Sequence, residues 1–295
     1  MKIIITGKNG QLGWELLDTQ PAGVEVYAFS SQELDITDAD EVNATFAKLA
    51  PDFVINAAAY TAVDKAETDI EACYLVNKVG VENIAKACKT INAKFVHIST
   101  DFVFDGKQNT PYKPEHKTKP IGVYGESKLA GEKSVLELLP SSSIIIRTAW
   151  VYSSHGNNFV KTMLRLMREL PKLGIVYDQV GTPTWAKGLA RVIWQLIEKD
   201  YDELLSVSDF GKVYHWTDAG VTSWYDFAIA IQQQGLTLEL LSNEIPVRPI
   251  PASAYPTPAQ RPSFSVLDKS SLEKLTGIET IHWQKQLNTM LTELL

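Results

Sequence analysis

Short, uninterrupted apolar runs alternate with longer stretches in which apolar residues recur every three or four positions, and the first half of the chain repeats this alternation. The runs at 2–6, 24–29, 53–56, 95–99 and 144–147 are mostly apolar throughout. They predict strands covered on both faces, as in a parallel sheet flanked by helices. The helical spacing falls at 38–49, with Thr37 as the expected N-cap, at 70–89 and at 122–139. Strand, helix and strand in repetition predict βαβ units.

Beyond Trp150 the pattern weakens, leaving strands expected at 174–177 and 212–216 and a helix at 185–198. Between 244 and 262 stand Pro246, Pro249, Pro251, Pro256, Pro258 and Pro262, which forbid a continuous helix and predict an extended surface excursion. No internal repeat interrupts this picture. The expected organisation is a dinucleotide-binding domain over 1–150, to which 174–216 adds strands and a helix. A smaller substrate-binding lobe is expected from 151–173 and 217–295, with ligand held between the two.

Composition narrows the function. The 295 residues are 45% hydrophobic and 21% charged, enough apolar material for a large core. Lys and Arg number 28 against 35 Asp and Glu, and a net charge of -7 argues against nucleic acid or an anionic membrane as partner. Cys73 and Cys88 are the only cysteines and share one predicted helix, so they read as small core residues of a reducing compartment. The apolar opening at 1–5 is too short for a signal-peptide core or a membrane span, which predicts a cytoplasmic protein.

The first candidate chemistry follows the first strand, in Gly7-Lys8-Asn9-Gly10-Gln11-Leu12-Gly13 ahead of a helical pattern. Glycines at this spacing allow a tight turn at Gly7, close approach of a pyrophosphate at Gly10 and close packing at Gly13. Gln11 and Leu12 then open the helix whose free N–H groups face the anion. The plain alternative is a βα turn without ligand. With strand before and helix after, the loop predicts a dinucleotide cofactor on a Rossmann-type doubly wound α/β sheet. The second strand ends at Phe29-Ser30-Ser31 with neither a carboxylate to bind a ribose 2′-hydroxyl nor an Arg to clamp a 2′-phosphate. This points to NADPH, with NADH accepted as an alternative, and places Ser30 at the ribose and Asp35-Ile36 at the adenine pocket.

The second candidate is Tyr124 with Lys128, four residues apart and therefore on one helix face. A nearby ammonium favours the phenolate and is expected to lower the Tyr124 pKa from about 10. Tyr74 and Lys78 share the spacing but read as structural, because only Tyr124 lies downstream of a strand ending in Ser99-Thr100-Asp101 at the ligand-binding edge of the sheet.

The glycine loop, Asn56-Ala57-Ala58-Ala59, Ser99-Thr100-Asp101 and Tyr124 with Lys128 together resemble the extended short-chain dehydrogenase/reductases. The runs 56–67, 99–106 and 147–152, then Asn157-Asn158-Phe159 and Arg261-Pro262, extend the likeness to a nucleotide-sugar reductase branch over nearly the whole chain. The resemblance implies reduction of the C4 ketone of dTDP-4-dehydro-L-rhamnose to dTDP-L-rhamnose, a precursor of cell-surface polysaccharide. It implies Tyr124 as proton donor, Lys128 on the nicotinamide ribose, and Thr100 as the catalytic hydroxyl. Ala57, Ala58 and Ala59 are implied at the cofactor. Val63, Asp101, Trp150 and Asn158 are implied at the substrate, with Asp101 binding a sugar hydroxyl and Trp150 offering an apolar face. Core packing is the alternative for Trp150.

A diphosphate substrate needs local positive charge on an acidic protein. Arg261 is the expected contact, with an ordinary surface ion pair as the alternative, while Lys161, Arg165 and Arg168 read as a solvated helix face. The five histidines do not cluster, so no catalytic metal is expected. The partner is thus a small nucleotide sugar, and the chain is a monomer or homodimer. The competing readings are a reductase or epimerase on another nucleotide sugar and a non-catalytic NADP-binding regulatory subunit. Phe102, where dehydratases of the family usually have Glu, argues against dehydratase chemistry.

Overall fold

The computed structural model describes residues 1–199 and 212–295; the part of the expected 174–216 excursion at 200–211 lies outside them. Five of the expected strands form as β1 (Lys2–Thr6), β2 (Glu25–Phe29), β3 (Phe53–Asn56), β4 (Lys94–Thr100) and β5 (Ser143–Thr148). With Lys212–His215 they make a six-stranded sheet in the order Lys212–His215, β5, β4, β3, β1, β2. Every pairing is parallel. The chain leaves β1 for β2 on one side and returns to β3 on the other, so the topological switch lies at the carboxyl ends of β1 and β3. Open α/β sheets bind ligands there.

The apolar runs do what their composition demands. Ile3, Ile4 and Ile5 are all at 0% exposure, so helices cover both faces of β1. Ile3 and Ile5 pack with Leu16, Leu189, Ile193 and Trp194 on one face, while Ile4 packs with Phe46, Val81 and Ile84 on the other. Each such side chain contributes roughly 1.5–3 kcal/mol when taken from water. A third cluster, including Tyr152, Met163, Phe227, Ile231, Trp283 and Leu287, forms a separate core after β5.

The structure departs from expectation in three places. The helix expected at 70–89 is an α-turn at Ile70–Tyr74, a π-helical turn at Leu75–Gly80 and an α-helix at Val81–Ile91. The buried Asn77 sits in that π-turn, where its side chain bonds both the N–H and the C=O of Tyr60 (2.9 and 3.1 Å). Asp38, not Thr37, caps the Ala39–Leu49 helix, because its carboxylate accepts from the N–H groups of Asp40 and Glu41. Finally, the strand expected at 174–177 forms at Leu173–Val176 but pairs with Val247–Ile250 outside the central sheet. Pro249 has no N–H to give to a ladder, which confines this partner strand to an edge. The Ala186–Glu198 helix and Lys212–His215, by contrast, do join the sheet and its core.

Candidate active site

At the end of β1 the chain turns through Gly7 with φ at +79°, and the N–H groups of Gly7 and Lys8 both donate to the carbonyl of Phe29. A Cβ on Gly7 would stand 2.6 Å from the Ala58 nitrogen, and one on Gly13 would stand 2.2 Å from the Gly7 oxygen. No side chain fits at either position. Gly10 occupies the N-cap of the Gln11–Asp18 helix, whose first turn carries no acidic residue. The helix therefore presents its unpaired N–H groups and positive dipole end to an anion without an internal competitor.

Asn56, which the sequence reading left without a role, ties this loop to β3. Its Oδ1 accepts from the Thr6 hydroxyl (2.7 Å) and from the Ala58 N–H (3.1 Å), while its Nδ2 donates to His97 Nδ1 (3.1 Å). His97 is fully buried, and desolvation holds its pKa well below the usual imidazole range. A neutral ring is the form that can accept from Asn56.

A cavity of about 660 Å³ runs from this loop across the switch point. Gly7, Gly10, Gln11, Leu12, Ser30, Asp35, Ile36, Ala57, Ala58, Ala59, Tyr124 and Lys128 all line it. Gly13 stands behind the lining, packed on the Gly7 carbonyl. Loop and cavity together fit an extended dinucleotide: a glycine cradle that a Cβ would fill at one end, and the Tyr124–Lys128 pair at the other.

Tyr124 and Lys128 both project from the Val123–Leu138 helix. Glu67 accepts the Val123 N–H at 3.0 Å at the start of that helix. The Ser127 hydroxyl donates to the Tyr124 carbonyl and receives Asn77 Nδ2 at 3.0 Å. The π-turn thus braces the helix that carries Tyr124 and Lys128. Lys128 is 2% exposed and donates to the Ile98 carbonyl at 2.7 Å, and burial brings its ammonium down to about 8 against the opposing pull of Glu132.

Tyr124 meets Phe102 edge-on, with ring centroids 5.5 Å apart. Burial raises its phenol pKa; the Thr100 hydroxyl pulls it back down, and Asp101 and Cys73 push it further up. This reverses the expected lowering by Lys128, whose own charge is desolvated and turned to the Ile98 carbonyl. The phenol consequently carries its proton at neutral pH. Thr100 donates to Asp101 Oδ1 (3.1 Å) and accepts from the Phe102 N–H (3.2 Å). Asp101 is 1% exposed, and desolvation raises its carboxyl to about 6.

None of Val63, Thr100, Asp101, Trp150, Asn158 and Arg261, the residues nominated for substrate, is among those lining this cavity. Thr100 and Asp101 follow directly on Ser99, which does line it. Trp150, at φ +48°, stacks on Trp224 with centroids 3.6 Å apart, a pairing without any local signal in the chain. Asn158 caps the Phe159–Glu169 helix at the Lys161 N–H and donates to Ser153 and Gln11. It joins the Gln11–Asp18 helix to the second core. Val63 opens the short Val63–Ala66 turn, and its neighbour Asp64 holds the Arg261 guanidinium through two bonds of 3.0 and 2.8 Å. Among the described residues no group of three or more His, Cys, Asp or Glu is placed to hold a metal ion, and no helix is long and apolar enough to cross a membrane.

Comparison with known proteins adds to this geometry. The family model described as RmlD substrate binding domain matches residues 1–295. A dTDP-4-dehydrorhamnose reductase of Aggregatibacter actinomycetemcomitans is 42% identical over 293 residues, 98% of either chain. The crystal structure of a Clostridium acetobutylicum dTDP-4-dehydrorhamnose reductase superposes with a TM-score of 0.91 at 41% identity, covering 100% of this chain and 99% of that one. A Bacillus anthracis dTDP-4-dehydrorhamnose reductase in complex with NADP gives 0.88 at 35% identity, over 99% of each.

Proposed function

Because this chain belongs to the family described as RmlD substrate binding domain, we propose that it reduces the C4 ketone of dTDP-4-dehydro-L-rhamnose to dTDP-L-rhamnose with NADPH. One observation carries the reading: Tyr124 and Lys128 line the same cavity that begins at the glycine cradle. The glycine cradle and a proton donor thus share one cleft of about 660 Å³.

NADPH, when bound, supplies the hydride that adds to C4. Charge then develops on the ketone oxygen, and the protein must answer it with donors already in place. Tyr124 gives its proton to that oxygen, completing the alcohol. Thr100, within hydrogen-bonding reach of the Tyr124 phenol, turns its one hydroxyl proton from Asp101 to the reacting oxygen. Lys128 holds the nicotinamide ribose, and solvent returns a proton to the Tyr124 phenolate left behind, which its raised pKa favours. Asp101 accepts a sugar hydroxyl. The diphosphate lies toward Arg261, whose fork matches phosphate oxygens.

The test is consumption of NADPH in the presence of dTDP-4-dehydro-L-rhamnose, with dTDP-L-rhamnose identified as product. Turnover of a UDP-sugar in its place, or dinucleotide binding without turnover, would contradict the assignment.

A further inference from the structure

Residues 153–158, between the short strand Val151–Tyr152 and the Phe159–Glu169 helix, belong to no regular element. Side-chain bonds tie them to the Gln11–Asp18 helix. The Ser153 hydroxyl donates to Glu15 Oε1 at 2.6 Å and accepts the His155 N–H at 2.9 Å, and the Ser153 carbonyl accepts from Asn158 Nδ2 at 2.6 Å. Gln11 holds both ends of the segment: its Nε2 donates to the Val151 carbonyl at 3.3 Å, and its Oε1 accepts from Asn158 at 3.0 Å. Nearer solvent, the His155 ring stacks on Trp14 with centroids 5.1 Å apart. The bond from Ser153 to Glu15 is the most deeply placed of these ties, because both residues are at 0% exposure. Neither lines the cavity, and Glu15 Oε2 has no partner among the described residues.

This bond spans the two cores. Glu15 belongs to the helix whose Leu12 and Leu16 pack on the central sheet. Ser153 lies between Trp150 and Phe159, which both rest on Trp224 of the second core, with centroids 3.6 and 4.6 Å away. We propose that Ser153 is a positioning residue for hydride transfer: its bond to Glu15 fixes the aromatic wall at Trp150 and Trp224 relative to the helix that faces the dinucleotide. The inference rests on the reaction proposed above and concerns the alignment of its two reactants. Reacting atoms must be held about 3–3.5 Å apart and in line, and a displacement of about 1 Å costs on the order of a hundredfold in rate. The dinucleotide is placed by the first core and the sugar by the second, so the distance between them is set by what joins the cores. Apolar packing fixes a contact, whereas a hydrogen bond to a buried carboxyl fixes a direction as well. Ser153 thus acts on the reaction through its neighbours and touches neither reactant.

Single-turnover reduction of dTDP-4-dehydro-L-rhamnose at saturating NADPH, in wild type, Ser153→Ala and the double variant Ser153→Ala with Glu15→Leu, tests this. Denaturant unfolding and titrations with NADPH and with dTDP-L-rhamnose accompany each rate. Ser153→Ala should slow reduction about ten- to a hundredfold while both affinities stay within about twofold. It should also unfold at lower denaturant, because it strands the Glu15 carboxyl. The double variant replaces both partners by apolar groups, so its unfolding midpoint should return toward wild type while its rate stays low. A rate that recovers together with stability would reduce the bond to packing and overturn the proposal. So would a wild-type rate in Ser153→Ala, or a loss of either affinity large enough to account for the lost rate. Wild type failing to reduce dTDP-4-dehydro-L-rhamnose would overturn the reaction itself, and the positioning role with it.

Discussion

Arg261 and Asp64, 197 positions apart in sequence, meet in a two-pronged ion pair with bonds of 3.0 and 2.8 Å. Arg261 also donates to Thr257 and to the Ala259 carbonyl, and the Ala259 N–H returns to Asp64. The proline-rich segment is thereby fastened to the turn after β3. A guanidinium so engaged is oriented but not exhausted, because Nη1 is committed to Asp64, Thr257 and Ala259 while Nε and one N–H of Nη2 are left for a diphosphate. Arg261→Met should raise KM for the nucleotide sugar about tenfold with little change in cofactor affinity, checked by steady-state kinetics and NADPH titration. Asp64→Asn, which frees the fork, should move KM less.

The ionisations predict a bell-shaped pH dependence of kcat/KM, which reports the free enzyme. Lys128 is an ammonium below about 8 and loses its charge as pH rises through that value, so the alkaline limb should fall there. Asp101 gains its charge as pH rises through about 6, so the acid limb should break there and flatten in Asp101→Asn. Tyr124 stays protonated throughout this range, because its pKa is raised.

Stability should respond to pH as well. His215 is buried, and desolvation lowers its pKa to about 3, below the value near 6.5 of an unfolded histidine. The folded state therefore binds fewer protons. Its advantage is complete above about 6.5 and is lost as pH falls from there toward 3. The melting temperature should drop across that window, and less steeply in His215→Asn.

Two ion pairs should separate sharply under mutation. Glu132 and Arg147 are at 2% and 4% side-chain exposure and joined by bonds of 2.8 and 2.6 Å, so Glu132→Ala strands a buried guanidinium. Denaturant unfolding should show a loss of about 3–5 kcal/mol. Arg165 and Glu169 are more than half exposed, and Glu169→Ala should cost less than about 1 kcal/mol.

Much of this architecture was legible in the chain. Strands whose middle residues are mostly apolar on both faces have no solvent face, which is why β1 and β3–β5 could be placed within a residue or two, and why the glycine loop between β1 and its helix could be read as a cofactor cradle. What escaped were relations without a local signal. Asn56 and Asn77 are polar residues whose partners lie on other elements, although Asn77 betrays itself as a polar side chain on an otherwise apolar helix face beside Cys73 and Ile84. The π-turn coincides with those bonds and has no local signal of its own. The raised Tyr124 pKa depends on burial, which spacing cannot report, and the Trp150–Trp224 stack joins residues from distant parts of the second core.

The most direct measurement is single-turnover reduction of dTDP-4-dehydro-L-rhamnose by Tyr124→Phe, alongside NADPH titration of the same variant. The variant keeps the ring against Phe102 and loses only the hydroxyl. Reduction should slow by about 10²–10⁴-fold, the usual worth of a general acid, while NADPH binds as in wild type. Reduction at the wild-type rate would contradict Tyr124 as the proton donor.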